Sequence, residues 1–241
     1  MQTLVSYEAL IAVAVTSAFA GGAWLLRGVT RGGAAAGFGV ALAIFITQGP
    51  GGFAALVAVF AIAWASTRLG HQRKQALGIG QDWRGRTAAQ VLANLGAAAA
   101  LGVAAAAAHR PVLLIGSMAA LAEAAADTAA SECGEALSRR AWLITTWQAV
   151  RAGSNGGVSV PGSLAAIAAA ALVAGVGAVT HVVSWRAATM VALAGMLGTV
   201  VDSLLGATAE RRSIIGNNGV NFLSTVAAAG MAVLLQQYLS T

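Results

Sequence analysis

Three carboxylates stand in stretches of chain that are otherwise Ala, Gly and Leu: Asp127, Glu132 and Asp202. At a bilayer centre an ionisable side chain costs roughly 3 kcal/mol or more, so one kept there faces a cavity, a partner or an ion. Asn, Ser, Thr and Gly recur beside these acids, which is the composition of a polar, cation-binding site. Between Glu123 and Glu132, the residues Glu123, Asp127 and Ser131 share one helical face by i,i+4 spacing, and Thr128 and Glu132 share another. Asp127 and Glu132 are too far apart around a helix to chelate one ion unaided. A second element must contribute. Asp202, with Gly198 and Gly206 four residues to either side, is the obvious donor. Magnesium suits such a site, because it takes one or two carboxylates and completes its shell with water and substrate phosphates. The competing reading is structural: a buried carboxylate paired to Arg84, Arg86 or Arg139.

Other polar groups extend the pattern. Gly153-Ser154-Asn155-Gly156-Gly157 can turn backbone N–H groups toward an anion, as glycine-rich nests do. It reads equally as a plain Gly/Asn turn, and it lacks the Lys-Ser/Thr ending of a P-loop. Asn217 and Asn218 are placed to cap the last helix while its positive N-terminal end stays open to phosphate. Asn221 and Thr225 continue that stripe, and Gln90 and Asn94 occupy the first turns of another helix. Of the cluster Arg68, His71, Arg73, Lys74, Arg84 and Arg86, most members suit lipid headgroups. Lys74, Arg84 and Arg86 are the candidates for a nucleotide or substrate phosphate. His71, His109 and His181 do not cluster, and the single Cys133 lacks metal-site spacing.

The elements that must hold these groups are membrane helices. Apolar residues make up 58% of the 241, and 9% are charged. Spans of about 20 apolar residues are expected near 8–26, 33–47, 51–67, 87–108, 111–135, 161–184, 187–207 and 219–239. The second and third are short and joined by Gln48-Gly49-Pro50-Gly51-Gly52, which predicts a tight hairpin, with a re-entrant pair as the alternative. The expectation is an all-α polytopic integral membrane protein of about eight transmembrane helices, one domain over 1–241. Residues 1–26 read as the first span rather than a cleavable signal. Of the 14 Lys/Arg residues, only Arg110 and Arg186 fall outside alternate connections. By the positive-inside rule the basic connections are cytoplasmic and both termini outside, in the inner membrane if the source is bacterial. The charge of +6 is therefore a membrane signal, with membrane lipids rather than nucleic acid as partners. On this topology Asp127 lies about 24 Å along its span and Asp202 at similar depth, so both approach the cytoplasmic end. The first turns at Gln90 and Asn217 and the Gly153–Gly157 loop lie on the same face. Five separated segments thus deliver their polar residues to one boundary.

Five ordered motifs carry a family resemblance across residues 68–235: Gly85-Arg86-Thr87-Ala88-Ala89-Gln90-Val91-Leu92-Ala93-Asn94, Ala126-Asp127-Thr128-Ala129-Ala130-Ser131-Glu132, Gly153-Ser154-Asn155-Gly156-Gly157-Val158-Ser159, Asp202-Ser203-Leu204-Leu205-Gly206-Ala207-Thr208 and Asn221-Phe222-Leu223-Ser224-Thr225. They resemble a membrane family (domain of unknown function 92) that contains the transmembrane protein 19 group and the phytyl-phosphate kinases. The chain departs from the expected pattern at Ser154, where Thr is usual, at Ala130-Ser131, and at Glu210-Arg211-Arg212. The resemblance implies a CTP-dependent kinase that phosphorylates a prenyl monophosphate to the diphosphate. In that reading Asp127, Glu132 and Asp202 organise Mg²⁺ on the CTP phosphates, and Asn155, Gly156, Gly157, Asn218 and Asn221 cradle nucleotide or phosphate. The same groups would serve a cytidylyltransferase that makes a CDP-lipid. A transporter or ion-coupled protein is the non-enzymatic rival, although the acids lie away from the midplane where transporter sites sit. A homodimer is left open.

Overall fold

Helices double back and forth around one central helix. The structure, a computed structural model, describes residues 2–76 and 85–239. In chain order come α1 (Gln2–Leu25), α2 (Arg31–Arg68), the short α3 (His71–Ala76), α4 (Ala88–Ala107) and α5 (Val112–Leu137). Three strands follow, β1 (Ala141–Leu143), β2 (Ala149–Val150) and β3 (Gly157–Val158). Then come α6 (Val160–Val179), α7 (Trp185–Leu205), a π-helical turn (Gly206–Glu210) and α8 (Asn217–Tyr238). Arg84 lies outside the described residues. The chain is an all-α polytopic membrane protein.

Among the described residues seven helices are long and apolar enough to cross a membrane, and α2 crosses twice. A straight helix of its 38 residues would reach about 57 Å. Yet the carbonyl of Leu26, just before α2, accepts hydrogen bonds from Trp64 Nε1 at 3.2 Å and Arg68 Nη2 at 2.7 Å, near its far end. The break is Gly49, at φ 67° and ψ −166°, followed by Pro50, whose ring cannot continue the preceding helix. Phe45 and Phe53 face each other across the bend with ring centroids 5.5 Å apart. Gly51 at the bend packs on Thr180 and Val182 of the α6–α7 connection. Both arms therefore reach the far face, as the Gln48–Gly52 hairpin predicts, and the crossings among the described residues number eight.

α5 is the core. Every residue from Gly116 to Ala126 is buried, and α2, α4, α6, α7 and α8 all pack on it. Ala, Gly and Ser dominate this stretch, and such small residues let backbones approach closely where lipid gives no hydrophobic drive. Large apolar side chains point outward instead, Leu10, Ile46, Leu164, Leu193 and Leu234 among them.

The basic connections all meet on one face. Thr30 N–H donates to the Arg86 carbonyl at 3.0 Å, Gly70 packs on Ala136, and Gly156 packs on Ala207. α1 ends at this face and α8 begins there, so both ends of the described chain lie on the opposite one. The connection between the spans expected at 111–135 and 161–184 holds a three-stranded antiparallel sheet in the order β2-β1-β3, with Trp142 opposite Ala149 on one side and Val158 on the other. Strands of two or three residues are too short to display alternation in a sequence.

Candidate active site

Arg86 is positioned by its own backbone. Its N–H donates to Gly28 O at 3.0 Å and its carbonyl accepts from Thr30 N, a parallel bridge to the α1–α2 connection. Gly85 makes the bridge possible: its φ is +80°, and a Cβ there would lie 2.6 Å from Val29 N. Thr87 then caps α4 in a capping box with Gln90. So anchored, the Arg86 guanidinium reaches α5 and donates to Thr128 Oγ1 at 3.4 Å. Burial lowers its pKa, and the charges of Glu132 and Asp127 oppose that shift.

Asp127 of α5 and Asp202 of α7 border the same cleft, near enough for their carboxylates to repel each other. Such repulsion is relieved when a cation or a shared proton sits between the two. Glu123 lies one turn below Asp127, 1% exposed, and its Oε1 has no hydrogen-bond partner among the described residues. Gly198 allows this: a Cβ there would lie 2.5 Å from Glu123 Cγ and 2.8 Å from Ala228 Cβ, so the glycine serves helix approach on α5 and α8. Ser224 of α8 donates toward Asp202 Oδ2 at 3.3 Å and toward Asn221 O at 3.0 Å. Asn221 Nδ2 in turn donates to Asn94 Oδ1 at 3.2 Å, which ties α8 to α4.

Beside these groups opens a cleft of about 360 Å³, within the range of small-molecule sites. Asp127, Asp202, Arg86, Asn94, Ser154, Asn155, Gly156, Gly157, Asn217 and Asn221 all border it. Three helices, α4, α6 and α8, begin at its wall, so their positive ends favour an anionic ligand. The cap of α6 is Ser159, which accepts from Gly162 N. α8 differs from the expectation: its N-cap is Gly216, and no side chain caps it. Asn217 and Asn218 form the first turn, whose N–H groups remain available to a ligand; Asn217 borders the cleft, whereas Asn218 is exposed outside it. Gly156 is a packing residue as well, with φ +74° and a built Cβ 2.5 Å from Ala207 Cα, which seats the loop on the π-helical turn. Such turns recur at functional sites.

The cleft does not include Glu132 or Lys74. Glu132 Oε1 accepts from Thr67 at 2.8 Å and its Oε2 is ion-paired to Lys74. Lys74 also donates to the carbonyls of Ser66 and Thr67, both at 3.2 Å, which uses all three of its protons. Both side chains are buried and fasten α3 to α2 and α5. The structure therefore brings Asp127 and Asp202 together and leaves Glu132 apart as a strut. Glu135 and Glu210, which are not among the candidate site residues of the sequence, also border the cleft; Glu135 follows Asp127 and Ser131 at i,i+4 spacing, which is the signal that points to it. Among the described residues no three His, Cys, Asp or Glu side chains form a metal site by themselves.

The family model described as integral membrane protein DUF92 matches residues 14–229. The chain belongs to this family. One relative, an uncharacterized membrane protein of Synechocystis sp., is 32% identical over 79% of this chain and 76% of its own. Protein VTE6, chloroplastic, of Arabidopsis thaliana is 26% identical over 89% of this chain and 67% of its own. Protein PGR of the same plant is 27% identical over 99% of this chain and its whole length. No solved structure matches.

Proposed function

We propose that this DUF92 protein is a Mg²⁺-dependent kinase that transfers a phosphoryl group from CTP to a prenyl monophosphate (phytyl, geranylgeranyl or farnesyl) at the cytoplasmic face of the membrane. The observation that carries this reading is the cleft itself, where two carboxylates from different helices meet an anchored arginine and three helix N-termini. That combination suits a polyphosphate with its cation. The CTP and prenyl assignments rest on the resemblance of the motifs to the phytyl-phosphate kinases. The cytoplasmic assignment rests on the basic connections gathered around the cleft.

Asp127 and Asp202 would hold the Mg²⁺. They fit it, because two carboxylates from different helices face one cleft and leave a negative charge density to be neutralised. When bound, the ion neutralises charge on the nucleotide phosphates. The rest falls to this chain's own groups. The N-terminal ends of α6 and α8, with the Ser154–Gly157 loop, seat the nucleotide phosphates. Arg86, bonded to Thr128, orients the acceptor phosphate. An oxygen of that phosphate attacks the terminal phosphorus of CTP, the bond to CDP breaks, and the products are CDP and the lipid diphosphate. A phosphate acceptor needs little general-base help, and catalysis of this kind is mainly positioning and charge neutralisation.

The test is product analysis with purified protein in detergent, given labelled CTP, ATP, GTP or UTP, prenyl monophosphates and Mg²⁺. CDP with a lipid diphosphate supports the kinase. Pyrophosphate with a CDP-lipid replaces it by a cytidylyltransferase, and no turnover with any pair refutes both.

A further inference from the structure

A second cavity, of about 120 Å³, lies between α1, α2, α4 and α5. Its wall is apolar, with Phe19, Leu56, Phe60, Val91 and Leu95 among the lining residues. Four polar residues, Arg86, Gln90, Asn94 and Thr128, border both this cavity and the cleft. The two spaces therefore share one wall, and the anchored Arg86 stands in it. At the basic face the cavity is bordered by Arg27 and Arg68, and Arg68 stacks on Trp64 with its guanidinium carbon 3.9 Å from the ring centroid. From Arg68 to Leu56 the cavity follows α2 for about 18 Å.

We propose that this cavity holds the hydrocarbon chain of the acceptor lipid, with Arg86 at the shared wall directing its phosphate into the cleft; the inference rests on the kinase reading above. An apolar slot that ends at a cation, beside a polar site for anions, matches an amphiphile with one anionic head and one long greasy tail. The cavity then sets which chain lengths are used. Gly37 and Phe60 are the residues that tune it. Gly37 borders the cavity, and a Cβ built there meets nothing within 4 Å. Leucine at this position has room to fill the slot, and it favours the helix over glycine. Phe60 packs edge-on against Phe19, with ring centroids 5.4 Å apart, and its truncation widens the slot.

The experiment compares wild type, Gly37→Leu and Phe60→Ala on dimethylallyl, farnesyl and geranylgeranyl monophosphates. Each methylene kept out of an apolar pocket costs roughly fourfold. Gly37→Leu is expected to lower kcat/KM at least about tenfold for the longest acceptor, leaving the shortest acceptor and the KM for CTP within about twofold, since its side chain displaces more than one methylene. Phe60→Ala is expected to shift preference toward the longest chain. A uniform loss across chain lengths in both variants overturns the slot. A photoreactive geranylgeraniol, which needs no phosphate transfer, separates this failure from that of the kinase reading. Labelling of α1, α2, α4 or α5 that falls in Gly37→Leu supports the slot even with no turnover, and labelling confined to other helices refutes it.

Discussion

Replacing Lys74 by Met is the change that best separates strut from catalyst. Lys74 is 1% exposed and Glu132 4%, and they are ion-paired across 58 residues of sequence. Removing one member of such a buried pair leaves an uncompensated charge, at a cost of about 3–5 kcal/mol. After Lys74→Met, the hydroxyl of Thr67 still donates to Glu132 at 2.8 Å, which offsets about 1 kcal/mol. The double variant Lys74→Met/Glu132→Leu removes both charges and fills the space with apolar atoms, and such replacements are often neutral or stabilising. The assay is a double-mutant cycle on unfolding free energy in mixed micelles, with prenyl-phosphate transfer measured on each variant that folds. The expected result is a large loss in Lys74→Met, recovery of most of it in the double variant, and transfer by the double variant close to wild type. A double variant that is stable yet inactive would refute the assignment of this pair to scaffolding.

Three smaller changes probe the framework around the cleft. Gly156→Ala puts a Cβ against Ala207 at a φ of +74°; a cost of about 1–2 kcal/mol and a raised KM for the nucleotide are expected, read by thermal unfolding and initial rates. Ser224→Ala removes the 3.3 Å bond to Asp202 and is expected to cost about 1 kcal/mol, seen as a several-fold fall in kcat with little change in thermal stability. Thr87→Ala removes the capping box of α4 and is expected to lower stability by about 1 kcal/mol, with the KM for acceptor rising because Arg86 precedes that cap.

Much of the fold was legible because membranes restrict it. Gly49-Pro50 announced the turn within α2, since few other residues break a helix so sharply. Alternating Lys/Arg connections announced which loops would meet, and the meeting of Thr30 with Arg86 and of Gly156 with Ala207 follows from that. Convergence of Asp127, Asp202, Asn94 and Asn221 was legible because depth along a helix is counted at a fixed rise per residue. The partner of Glu132 was not legible. Lys74 reaches it only because α3 turns back under α2, and no local spacing encodes that. The cap of α8 was misread at Asn217-Asn218 because either Asn or Gly can adopt the extended cap conformation, and the chain uses Gly216. The sheet at 141–158 and the π-helical turn after Asp202 escaped for a related reason, being defined by a handful of backbone bonds rather than by side-chain period. The burial of Glu123 depended on Gly198, a residue on another helix.

The most direct test of the central claim is the rate of CTP-dependent diphosphate formation on geranylgeranyl monophosphate by wild type, Asp127→Asn and Asp202→Asn, across a Mg²⁺ titration. The isosteric amides keep the shape of the pair and remove its charge. Each variant is expected to fold as wild type does, to lose at least about a hundredfold in kcat as removal of one preorganised charge-stabilising group does, and to gain little from added Mg²⁺. Wild-type rates with the same Mg²⁺ dependence in either variant would contradict the claim.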